Sequence, residues 1–187
     1  MGDLRTKRTY KLLQDALFEL LSKKAFDEIK VNDICELAMV HRTTFYTHFS
    51  DKYELLEYVI SEVEKEITGN LMPYSYSTLE EFYRNMVMSL LNYVDIHRKF
   101  FRSILKKNED TGFSKVFSHT CISYIKEMLA KEEDAGITHT VPIEIISEFY
   151  SGAVISTINW WLKSNSKLSK DELCTYIINL IFETPHT

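Results

Sequence analysis

The chain has 187 residues, enough for one domain or two small ones around a substantial core. An apolar fraction of 45% with only five glycines and three prolines points to a protein made mainly of helices, and no uninterrupted run of 18 apolar residues suggests a membrane span. The net charge is −5, but residues 1–50 carry eight Lys or Arg against seven Asp or Glu while residues 51–187 carry fourteen against twenty, so the acidity belongs to the second part.

In chain order, a first helix is predicted from about Thr6 to Ser22, with Tyr10, Leu13, Leu17, Leu20 and Leu21 in one apolar stripe. Arg5, Lys7, Arg8 and Lys11 make its start basic, either a polyanion contact or a solvated tail. The segment before it has no apolar stretch of the signal-peptide type, so a cytoplasmic location is expected. Phe26 and Ile29 close a small core. A short helix over 31–38 then sets Val31, Ile34, Leu37 and Ala38 on one face and Asp33 and Glu36 on the other.

Met39, Val40 and His41 form a corner, and a second short helix over 42–49 buries Phe45 and Phe49 at i and i+4. That leaves Arg42, Thr43, Thr44, Tyr46, Thr47 and His48 outward or at the edges, a helix rich in hydroxyl and imidazole tips rather than Glu–Lys pairs. Two short helices around a three-residue corner, the second carrying the polar tips, are the plan of a helix-turn-helix.

The run Thr44-Phe45-Tyr46-Thr47-His48-Phe49, followed by Asp51-Lys52 and Leu55-Leu56, resembles the signature of the tetracycline-repressor (TetR) family of bacterial transcription regulators, over residues 6–67. The resemblance implies an all-α, two-domain homodimer: a three-helix DNA-binding head over residues 1–51, extending in the family to about 67, and a helical body over 52–187 that dimerises and holds a small effector. It implies that Tyr46, His48 and Lys52 touch phosphates of double-stranded DNA, while Arg42, Thr43, Thr44 and Thr47 reach base edges of a palindromic operator. Met39 stands where the family commonly has Gly, so a positive φ there would fall on a residue with a Cβ and the corner is expected to differ slightly. His41 stands where Ser or Thr is favoured, and leaves no hydroxyl N-cap.

A linking helix is predicted over 52–68, and Gly69 to Ser77 breaks the pattern as the domain joint. Further helices are predicted over 78–95, 97–106, 112–131, 142–164 and 169–182, the last opened by Ser169 with Asp171 and Glu172. The last two have broad apolar faces, and by resemblance they form a four-helix dimer interface to which Phe149, Gly152, Ala153, Trp161, Tyr176 and Leu180 are assigned. Burial of both helices inside one subunit is the alternative. Tyr83, Met86, Phe101, Phe117, His119 and Tyr124 are the candidates for a pocket taking a small apolar or aromatic effector, although such residues are also the ordinary filling of a helical bundle.

Cys35, Cys121 and Cys174 are far apart and odd in number, which fits buried thiols rather than a disulfide framework. His119-x-Cys121 is the nearest approach to a metal pair, and without a third ligand it reads as packing, so neither metal nor cofactor is expected. No GxSxG, Gly-rich phosphate loop, HExxH or carboxylate–His cluster points to catalysis. The expected function is a sequence-specific, DNA-binding transcription regulator, a repressor, whose effector changes the separation of the two heads. The alternative is an activator or adaptor of the same fold working through a protein partner.

Overall fold

The computed structural model describes residues 2–69, 77–108, 111–164 and 167–182. Among them are nine α-helices, one 3-10 turn and no strand: α1 (Gly2–Lys23), the turn Phe26–Glu28, α2 (Val31–Ala38), α3 (Arg42–His48), α4 (Lys52–Thr68), α5 (Leu79–Ile96), α6 (Arg98–Lys107), α7 (Gly112–Asp134), α8 (Ile143–Lys163) and α9 (Lys170–Phe182). The expected joint lies outside the described residues except for Gly69 and Ser77. No helix among the described residues is long and apolar enough to cross a membrane.

Local chemistry explains several of the boundaries. Asp51 caps α4, accepting from the Tyr53 and Glu54 N–H groups at 2.8 and 3.0 Å. Thr78 caps α5 through the Glu81 N–H, and Ser169 and Glu172 form a reciprocal capping box at the start of α9. The first helix begins at Gly2, four residues before the expected Thr6, because nothing between them breaks a helix. The basic side chains of Arg5, Lys7, Arg8 and Lys11 therefore stand on the opening turns of α1 rather than on a loose arm.

Two apolar clusters hold the chain together. The first joins Leu13, Leu17 and Leu21 of α1, Ile34 of α2, Phe45 of α3 and Leu55, Leu56 and Val59 of α4, all at most 1% exposed. It continues past residue 59 into the body, for Ile104 of α6 belongs to it and Phe100, Phe113 and Val116 pack against it. The second joins Leu91 and Val94 of α5, Trp161 and Leu162 of α8, and Leu173, Cys174 and Ile178 of α9.

Polar bonds reinforce the junction of the first cluster with α6 and α7. Buried Asn108 accepts the Phe26 N–H on Oδ1 at 2.7 Å and donates from Nδ2 to the Ile104 carbonyl at 3.0 Å. Ser103 Oγ and Lys107 Nζ both donate to the Ser22 carbonyl, at 2.9 and 2.6 Å. The Gly112 N–H reaches Asp27 Oδ1 at 3.0 Å, an approach that needs glycine: a Cβ there would lie 2.8 Å from Tyr53 Cε1. The last turns of α1 are thereby held to the corner between α6 and α7.

Candidate nucleic-acid interface

The corner between α2 and α3 closes as a Schellman motif. Met39 takes the left-handed conformation, φ 54° and ψ 40°, its N–H donating to Glu36 O at 3.2 Å while the Val40 N–H donates to Cys35 O at 3.0 Å. The backbone therefore adopts the conformation that favours glycine, with a Met side chain 89% exposed. The start of α2 is held by Asp33, which accepts from the Lys30 N–H at 2.9 Å and from Lys24 Nζ at 2.6 Å. The Lys24 ammonium and then the Lys30 N–H keep the Asp33 carboxyl below the usual carboxylate range. His41 makes no side-chain cap on α3.

From that corner α3 buries Phe45 completely, and Phe49, just beyond its last turn, is 4% exposed. Arg42, Thr43, Tyr46 and Thr47 are exposed, and Thr44 and His48 are half-buried. The Arg42 guanidinium lies 5.8 Å from the centre of the Tyr46 ring. Thr47 Oγ1 donates to the Thr43 carbonyl at 2.9 Å, which turns its hydroxyl proton inward. The His48 ring packs edge-on against Tyr10 of α1, 5.1 Å between centroids. Six polar side chains are thus presented by one short helix whose orientation is fixed by two buried phenylalanines.

Lys52 is the exception among the residues assigned to DNA. Its ammonium donates to the carbonyls of Phe26, Asp27 and Ile29 at 2.8, 3.2 and 2.8 Å, and lies 4.6 Å from the centre of the Phe26 ring. All three N–H protons are engaged within the head. Burial presses this amine below its ordinary range, against the opposing influence of Asp27. In this arrangement Lys52 is a clamp that satisfies the carbonyls around the 3-10 turn, which no local sequence pattern announces, and the expected phosphate contact would require it to give up one of these bonds.

The assigned dimer residues divide. Phe149, Tyr176 and Leu180 are 69%, 54% and 82% exposed, and Gly152 and Ala153 are exposed beside them. A Cβ on Gly152 would meet nothing within 4 Å. Trp161 does not share that face: it is 2% exposed, its Nε1–H donates to the Leu168 carbonyl at 3.0 Å and Arg98 lies 4.1 Å over its ring. Ile145 and Trp160 are exposed instead, and they continue the stripe through Phe149, Gly152 and Ser156 at helical spacing. Counting in steps of three and four from Phe149 would have selected Trp160.

The effector candidates divide as well. A cavity of about 560 Å³ lies between α5, α7, the 138–141 connection and α8, and is lined by Tyr83 and Met86. Phe101, Phe117, His119 and Tyr124 do not line it. Phe101 packs on the second cluster, Phe117 stacks on Phe113 at 5.8 Å, His119 is exposed and Tyr124 lies beside Thr68 of α4. Sequence reasoning missed Glu132, His139 and Tyr150, which do line it. Two residues apart on α7, His119 and Cys121 diverge by about 200° and cannot grip one ion. Burial pushes the Cys121 thiol up to about 12. No group of three metal-ligating side chains occurs among the described residues.

Known proteins share this architecture. The model of bacterial regulatory proteins of the tetR family matches residues 13–59, and that of a transcriptional regulator C-terminal region matches residues 81–183. The dhaKLM operon transcriptional activator DhaS of Lactococcus lactis is 24% identical over 175 residues, covering 92% of this chain and 88% of that protein. Among solved structures, Lin0861 from Listeria innocua superposes with a TM-score of 0.72 at 19% identity, covering 95% of this chain and 91% of its own. The dihydroxyacetone kinase operon activator DhaS superposes at 0.56 and 22% identity, covering 92% and 93%. Matched in head and body alike, with a helix-turn-helix whose polar face is free, the chain belongs to the TetR family and is a DNA-binding transcription regulator.

Proposed function

We propose that the regulator acts in the cytoplasm as a homodimer that reads a palindromic operator and represses transcription, with a small effector setting its DNA affinity. The observation that carries this reading is the pairing of an exposed polar α3 with an exposed apolar stripe on α8 and α9, Ile145, Phe149, Trp160, Tyr176 and Leu180. A stripe of that size on a folded subunit calls for a partner, and a second copy supplies a self-complementary one. Two heads would then meet half-sites about 34–36 Å or a multiple apart. Arg42, Thr43, Thr44 and Thr47 are assigned to base edges, with the Thr47 methyl suited to a thymine methyl. Tyr46 and His48 are assigned to phosphates, and Arg5, Lys7, Arg8 and Lys11 add charge at the start of α1. In this reading the head includes the first half of α4, because Leu55, Leu56 and Val59 share its core.

The activator reading is favoured by one finding, the name of the Lactococcus lactis relative as an operon activator. Recovery of bound genomic fragments with the purified protein, followed by transcription from the recovered promoters, separates the two by sign. Gly152→Leu tests the dimer: because that position is open in the subunit, the variant should fold, lose about 1–3 kcal/mol of association by overpacking, and bind DNA more weakly. A folded, fully dimeric Gly152→Leu protein with unchanged DNA affinity would move the interface elsewhere.

A further inference from the structure

The cavity that touches α5, α7 and α8 has a carboxyl group in its wall. Glu132, in the last turn of α7, is only 9% exposed and lines the cavity. Its Oε1 accepts the Tyr83 hydroxyl at 2.9 Å. Its Oε2 lies 3.4 Å from His139 Nε2 without the alignment of a hydrogen bond, and both atoms are buried with no hydrogen-bond partner. Burial pushes the Tyr83 hydroxyl well above the ordinary phenol range, with the Glu132 charge in support, so it stays a donor already committed to Oε1.

A buried carboxylate oxygen without a donor is unfavourable in an apolar site, and a ligand that brings the donor relieves it. Oε2 can only accept, and the geometry of His139 Nε2 beside it gives it no hydrogen bond. The remaining walls include Tyr83, Phe149 and Tyr150, whose ring faces attract a cation. A carboxylate ligand would instead face a like charge in a medium of low dielectric.

We propose that this cavity takes an apolar molecule ending in a protonated amine, whose N–H groups donate to Glu132 Oε2. The inference rests on the reading of the cavity as an effector site. It is tested with three probes of one apolar body, phenylbutylamine, phenylbutanol and phenylbutyrate, titrated calorimetrically into the full-length protein. Nile red, a neutral dye, reports occupancy of the cavity independently. The amine should displace the dye and bind about tenfold or more tightly than the alcohol, the ratio expected of a charge-assisted bond, and the acid should not compete.

Glu132→Gln should bring the amine down to the affinity of the alcohol, so that the about tenfold ratio between the two probes disappears. If that variant does not fold, the ranking of the three probes on the wild-type protein decides alone. Alcohol or acid binding as tightly as the amine would overturn the proposal. Dye bound in the cavity but not displaced by the amine would also overturn it while sparing the effector site, and a cavity that takes neither dye nor probe would overturn both.

Discussion

Replacing Lys52 by Met keeps an unbranched stem and removes the ammonium that holds the Phe26, Asp27 and Ile29 carbonyls. Hydrogen bonds to a charged group contribute about 1.5–3 kcal/mol each when fully formed and desolvated. Here Lys52 is only half-buried, so water recovers part of the loss, and the freed side chain regains rotamer entropy. The contact with the Phe26 ring adds about 0.5–1 kcal/mol. The net effect is placed at about 2–3 kcal/mol, which for a chain of this size lowers Tm by about 4–12 °C. Thermal and urea unfolding give the stability, and DNA titration over a range of salt gives the second readout. A residue already holding three carbonyls neutralises no phosphate, so the plot of log K against log salt should keep the wild-type slope, whereas a phosphate contact would make it shallower by about 1 per half-site. An unchanged Tm together with a shallower slope would refute the clamp and return Lys52 to the DNA.

Three further outcomes follow from the head. Arg42→Ala should lower operator affinity by about 1–3 kcal/mol and relax preference at one base pair per half-site, and uniform weakening across a randomised operator library would reassign it to phosphate. Met39→Gly removes the left-handed strain on a residue whose side chain is almost wholly exposed, and should raise stability by about 1 kcal/mol in urea unfolding, with no gain meaning that the corner carries no such strain. Asp33 has a folded-state pKa below its unfolded value, so its contribution is present above the unfolded pKa and fades as pH falls through the folded one. The acid limb of the stability profile, below about pH 4, should therefore flatten in Asp33→Asn, and an identical limb in both proteins would show that this carboxylate is not coupled to folding.

The sequence by itself determined what depends on near neighbours. The two-helix reading head follows from the spacing of Ile34, Ala38, Phe45 and Phe49, because side chains three and four apart share a helix face whatever surrounds them. The capping box of Ser169 and Glu172 was likewise legible, since its partners are three residues apart. Tertiary structure decided everything that requires knowing what an element meets. Lys52 became a clamp because Phe26 to Ile29, more than twenty residues upstream, present their carbonyls to it. Trp160 and Trp161 differ by one residue and about 100° of helix; periodicity puts Trp160 on the face of Phe149, but that this face stays open while Trp161 packs against α9 and Arg98 is decided by the tertiary structure. Tyr83 and Glu132 meet across forty-nine positions, so no local pattern could have joined them. Helical periodicity is a property of the chain, whereas the choice of face, partner and cavity is made by the joint burial of surfaces distant in sequence.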